Sequence, residues 1–77
     1  MPEFKTKIVS ADRREVLCDN EVIGSIVQAE SGNWYLTGKG SDQIELVSTL
    51  SDGSVFEGGS LDAAFTSIVA DYLFSGS

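Results

Sequence analysis

Histidine does not occur in this sequence, which removes the side chain most used for proton transfer near neutral pH and the commonest metal ligand. Any serine nucleophile would lack its usual base. Cys18 is the single cysteine, and its neighbours Asp19 and Glu21 disfavour a reactive thiolate, so an inert, buried thiol is expected. Two carboxylate-bearing segments, Asp19-Asn20-Glu21 and Asp52-Gly53-Ser54, do not continue into the spacing of a calcium loop and read as turns. Gly38-Lys39-Gly40-Ser41 has the glycine content of a phosphate cradle, but it lacks the full Walker spacing and the strand-to-helix context. Gln43 also stands where a dinucleotide fingerprint needs its third glycine. The residues therefore predict a protein without enzymatic activity, metal or cofactor, acting by binding.

Charge is the more informative feature. All the basic residues, Lys5, Lys7, Arg13, Arg14 and Lys39, precede residue 40, where Glu3, Asp12, Glu15, Asp19, Glu21 and Glu30 nearly balance them. Beyond it come Asp42, Glu45, Asp52, Glu57, Asp62 and Asp71 with no lysine or arginine, which supplies most of the net charge of −7. Such a half repels phosphate and attracts basic surfaces, although acidic surfaces also serve solubility. The basic residues invite a nucleic-acid reading in which Lys5, Lys7, Arg13 and Arg14 meet at one sheet edge and Trp34 or Tyr35 stacks on a base. Glu3, Asp12 and Glu15 interleave with them and weaken it.

The elements that must position these residues follow from periodicity. Phe4 to Val9 alternates as a strand, and Glu15 to Cys18 resumes an extended run up to a hairpin turn at Asp19-Asn20. Val22 to Ala29 is rich in β-branched residues, and after the turn signal Glu30 to Asn33 comes Trp34-Tyr35-Leu36-Thr37. Gly38 to Asp42 is a loop. Gln43 to Leu50 alternates as one strand, Ser51-Asp52-Gly53-Ser54 is a turn, and Val55-Phe56-Glu57 closes the sheet. Ser60 as N-cap, Asp62 in the first turn and Gly76 beyond the end bracket a helix over Leu61 to Phe74. Its apolar stripe is Leu61, Ala64, Phe65, Ile68, Val69, Tyr72 and Leu73.

The expectation is a single α+β domain over residues 1–77, with an antiparallel meander of about four to six strands and one carboxyl-terminal helix on one face. A lone cysteine, no apolar leader at Met1-Pro2-Glu3 and no long apolar run point to a cytoplasmic protein outside the membrane. Strict alternation puts Val22 and Ile26 on one face of the third strand and Ile23 and Val27 on the other. Either the sheet curls so that both sets enter one core, or an apolar patch remains as an interface. Trp34 and Tyr35 must likewise project oppositely.

The chain as a whole resembles the small acidic proteins of phages and mobile elements, among them anti-CRISPR proteins, which pair a short antiparallel sheet with a helix. The acid-only run from Asp42 to Asp71 and the helix after Gly58-Gly59-Ser60 carry the resemblance, which is one of size, charge and architecture. It implies an inhibitor that occupies a basic, nucleic-acid-binding surface of a larger protein or complex. The leading expectation is thus a non-enzymatic inhibitor or adaptor, with Asp42, Glu45, Asp52, Glu57, Trp34 and Tyr35 as partner contacts. The alternatives are a small nucleic-acid-binding domain using the basic amino-terminal edge and a subunit that dimerises through the helix-free sheet face.

Overall fold

In the computed structural model, which describes residues 2–37 and 43–75, Asp19 and Asn20 both adopt positive φ, 50° and 72°. Consecutive left-handed residues make the tight hairpin whose twist suits its strands, and Asp and Asn are the non-glycine residues that tolerate it best. The turn joins β2 (Arg13–Cys18) to β3 (Glu21–Gln28). With β1 (Phe4–Ser10), β4 (Trp34–Thr37) and β5 (Ile44–Glu45) they form an antiparallel sheet in the order β1-β2-β3-β4-β5. The meander expected from the sequence is present, while the loop expected at Gly38 to Asp42 lies outside the described residues.

A bulge resolves the two-faced third strand. Val16 pairs with Gly24 but Leu17 pairs with Val22, so Ile23 is an extra residue on β3. Directly opposed residues share a face, so Gly24 and Ile26 lie with Val16 on the helix side, and Val22 lies with Leu17 on the other. Ile23 turns inward and packs on the core of Val16, Ile26, Trp34, Leu36, Phe56, Ala64 and Ile68. The expected grouping of Ile23 with Val27 is therefore corrected: both isoleucines reach one core, and Val22 and Val27 remain half-buried on the helix-free face. The helix comes close at Gly24, since a Cβ there would stand 3.2 Å from Ile68 Cδ1.

The expected single strand from Gln43 to Leu50 is two short ones. Ile44 and Glu45 pair with Thr37 and Leu36, and in that register Val47 would reach Trp34. Gly59 already holds Trp34 by two backbone hydrogen bonds of 2.7 and 3.1 Å. The chain therefore leaves the sheet at Leu46 and Val47, both exposed, and re-forms as β6 (Ser48–Thr49) against β7 (Val55–Phe56) in a separate hairpin. Gly53 at φ 87° supplies the turn.

The helix α1 (Leu61–Phe74) occupies the expected residues, with the Ser60 hydroxyl accepting from the Ala63 N–H at 3.1 Å. It packs chiefly on β3 and β4. Ala64 and Ile68 are buried, Leu61 and Phe65 are half-buried against the core, and Leu73 is 54% exposed, so the expected stripe loses its last member. Gly76 lies outside the described residues. Among those residues no helix is long and apolar enough to cross a membrane.

Ile26 is the largest fully buried side chain among the described residues and sits where the helix, β2 and β4 meet. Ile26→Ala should lower the unfolding free energy in a urea titration by about 2–5 kcal/mol, against less than about 0.5 kcal/mol for Leu73→Ala. Equal effects would show that the core is not centred on β3.

Candidate functional site

Glu45 is the acid that the short β5 delivers to the helix side of the sheet, because its register partner Leu36 faces the core. Its Oε2 accepts from the Ser48 hydroxyl at 3.3 Å, linking β5 to the first residue of the separate hairpin. Asp71 approaches the same place from the helix. Its Oδ1 accepts the Ser51 N–H at 2.6 Å, tying the tip of the β6–β7 hairpin to the last turn of α1. A charged acceptor on a backbone N–H is among the stronger local hydrogen bonds.

Between these acids lies a cleft of about 260 Å³. Ile23, Gly24, Leu36 and Ile68 contribute apolar surface, while Glu45, Ser48, Asp71, Tyr72 and Ser75 contribute polar groups. The helix ends here: the Ser75 N–H donates to the Asp71 carbonyl at 3.0 Å, and no basic residue stands in the last turn. The partial negative charge of a helix carboxyl terminus thus adds to the two carboxylates. Such a site suits a cationic group on an apolar stem, the chemistry of a lysine or arginine side chain.

Tyr72 extends this electrostatic region to the β2–β3 turn. Its ring meets Phe4 edge-on, with centroids 6.0 Å apart at 78°. The electrostatic influence of Cys18 foremost, then loss of hydration, the hydrogen bond to Cys18 and the carboxylates of Glu21 and Asp19 hold the phenol pKa above its ordinary value. Tyr72, which lines the cleft, thus also feels the acids of the β2–β3 turn.

The remaining residues expected from the sequence are dispersed. Asp52, at the hairpin tip beside Ser51, accepts from the Ser54 hydroxyl at 2.6 Å and the Ser54 N–H at 2.9 Å, which lower its pKa in that order of importance. Glu57 is exposed after β7, close in sequence to Gly59 and so at the helix's amino-terminal end, away from the cleft. Asp42 lies outside the described residues. Trp34 is only 9% exposed, part of the core, and has the Arg14 guanidinium 5.1 Å from its ring centroid. Tyr35 is the aromatic on the helix-free face, half-buried against Gly58, whose φ of 93° and lack of a Cβ admit the ring. Arg14 lies on the helix side with Trp34, while Lys5, Lys7 and Arg13 lie on the other, so the basic residues do not share one face.

Asp71, Tyr72, Asp19 and Glu21 were not singled out as contacts from the sequence. A carboxylate in the last turn of a helix, where the dipole favours a cation, was the available signal for Asp71. Among the described residues no group of three or more His, Cys, Asp or Glu side chains is placed to hold a metal ion. No protein-family profile, curated protein or solved structure matches the chain. Fold and site together define an acidic α+β domain: a five-stranded antiparallel meander, a detached hairpin and one helix.

The Tyr72 environment predicts alkaline behaviour. Because the folded-state pKa exceeds the unfolded one, this group's contribution to stability is complete below the ordinary tyrosine value. It is lost as pH rises from there through the folded value. In a spectroscopic titration, Cys18→Ala should move the Tyr72 midpoint down toward the ordinary value. An unmoved midpoint would remove Cys18 as the main cause.

Proposed function

We propose that this chain is a non-enzymatic protein-binding module, an acidic inhibitor or adaptor that engages a basic, nucleic-acid-binding surface of a larger protein. The observation that carries the reading is the meeting of Glu45 and Asp71 in one cleft at the carboxyl-terminal end of α1, with Asp52 on the adjoining turn. A partner's lysine or arginine fits there, its stem on Ile23, Leu36 and Ile68 and its head between the carboxylates. The acids around the cleft steer the encounter, and desolvation of the buried stem governs dissociation. The resemblance to anti-CRISPR proteins supports the same reading, since an acidic surface of this kind competes with nucleic acid for a basic groove. The source compartment in this reading is the cytoplasm.

A partner captured from the native host should be released by duplex DNA and by rising salt. Glu45→Gln with Asp52→Asn should slow its association at low salt by about two- to tenfold and flatten the salt dependence. Association as fast as that of the parent chain would sink the acidic-surface reading. The chain itself should not bind duplex DNA at physiological salt, because a net charge of −7 opposes the phosphate backbone. Binding that weakens steeply with salt would favour the nucleic-acid alternative instead.

A further inference from the structure

The border strand β1 presents a second surface of different character. Among the described residues no strand pairs with its outer side. The Asp19 N–H donates to the Glu3 carbonyl at 2.9 Å, and hydrogen bonding alternates along an antiparallel ladder. Lys5 and Lys7 therefore turn their backbone groups toward β2, and Phe4, Thr6 and Ile8 turn theirs outward. At the far end, the Arg14 guanidinium donates to the carbonyls of Ser10 and Ala11, and a bulge at Val9 breaks the register. The available edge is thus the stretch from Phe4 to Ile8.

Side chains alternate with the same period. Thr6 and Ile8 oppose Val16 and Arg14 and so lie on the helix side, where α1 over β3 and β4 leaves them exposed, Ile8 at 72%. Beside them runs an open groove of about 580 Å³ lined by Lys5, Thr6, Leu61, Asp62 and Phe65. Lys5 and Lys7 oppose Leu17 and Glu15, and their exposed side chains stand on the helix-free side. A strand added to this edge would place one set of its side chains along the groove with Phe65 and Leu61. It would place the alternate set against two ammonium groups.

We propose that the outer edge of β1 docks an extended segment of a partner protein in which acidic residues alternate with apolar ones, taken up as an additional antiparallel strand. Main-chain hydrogen bonds to Thr6 and Ile8 provide affinity, the groove selects apolar side chains, and Lys5 with Lys7 selects acids. A second copy of this chain is the poorer occupant. Two-fold pairing centred on Thr6 sets Lys5 against Lys7 twice, and each copy brings a net charge of −7. The proposal is independent of the acidic-cleft reading, because it rests on Lys5, Lys7 and the β1 edge, at the border of the sheet opposite Glu45 on β5.

The probe is a synthetic capped peptide, about seven residues long to match the edge, that alternates glutamate with valine. It should bind the intact chain saturably and slow amide exchange at Thr6 and Ile8 while leaving Lys5 and Lys7 little changed. Lys5→Glu with Lys7→Glu alters only exposed side chains and should weaken binding about tenfold or more, while a lysine–valine peptide should bind that variant better than the parent. Thr6→Pro deletes an outward N–H that the sheet does not use and should abolish binding with the fold intact. Absence of binding at millimolar peptide, or binding indifferent to the lysine reversal, overturns the proposal. So does light scattering that reports a dimer in which the same amides are already protected, which would assign the edge to a second copy.

Discussion

Two backbone hydrogen bonds between Trp34 and Gly59 organise this molecule, because they decide who owns the outer edge of β4. That strand has four residues, and β5 takes two of them. With Trp34 given to Gly59, the chain from Leu46 onward has no ladder to continue. Its backbone polar groups must find other partners, since leaving them unpaired costs about as much as a lost hydrogen bond. The β6–β7 hairpin satisfies them. The same bridge fixes where α1 begins, because Ser60, the next residue, is its N-cap. Gly58 at positive φ lets the chain turn into the bridge and accepts the ring of Tyr35. Sheet, hairpin and helix thus share one junction, and the acidic cleft is the space left between them.

Charge distribution follows from this arrangement. The hairpin and the last turn of α1 come from the half of the sequence without basic residues, so Glu45 and Asp71 meet in the cleft with Asp52 on the adjoining turn. Among the described residues, Lys5 and Lys7 sit on β1 at the other border of the sheet, interleaved with Glu3 and Glu15. At ionic strengths where the Debye length is about 10 Å, these two regions act on different parts of an approaching partner.

What the sequence made legible was local. The helix bounds follow from Ser60, the apolar spacing and the first-turn Asp62, and the Asp19-Asn20 turn follows from the backbone tolerance of those two residues. What it hid was competition between distant segments. Nothing in Gln43 to Leu50 says that its register would collide with Gly59, and the alternation of Ile44, Leu46 and Leu50 is that of an ordinary strand. Ile23 reaches the core through a bulge opposite Val16 and Leu17, a property of two strands rather than one. The side taken by Trp34 is also non-local, because parity separates it from Tyr35 without saying which face the helix will cover. For the candidate site the same holds: composition marked the acidic half, but the pairing of Glu45 with Asp71 required the tether from Asp71 to Ser51.

Size explains why one sheet border remains open. Strands lie about 4.8 Å apart and a helix with its side chains is about 10 Å wide, so one helix covers roughly two strands of a sheet. Placed over β3 and β4, α1 leaves both borders uncovered on its side. At the β5 border the β6–β7 hairpin closes the gap, bringing Phe56 into the core. At the β1 border Phe4 meets the helix edge-on at Tyr72, but Thr6 and Ile8 on the same side stay exposed, and among the described residues no hairpin covers them. In the docking proposal, Lys5 and Lys7 set the charge met at this edge, so the same two side chains that disfavour a like-charged strand favour a segment carrying acids.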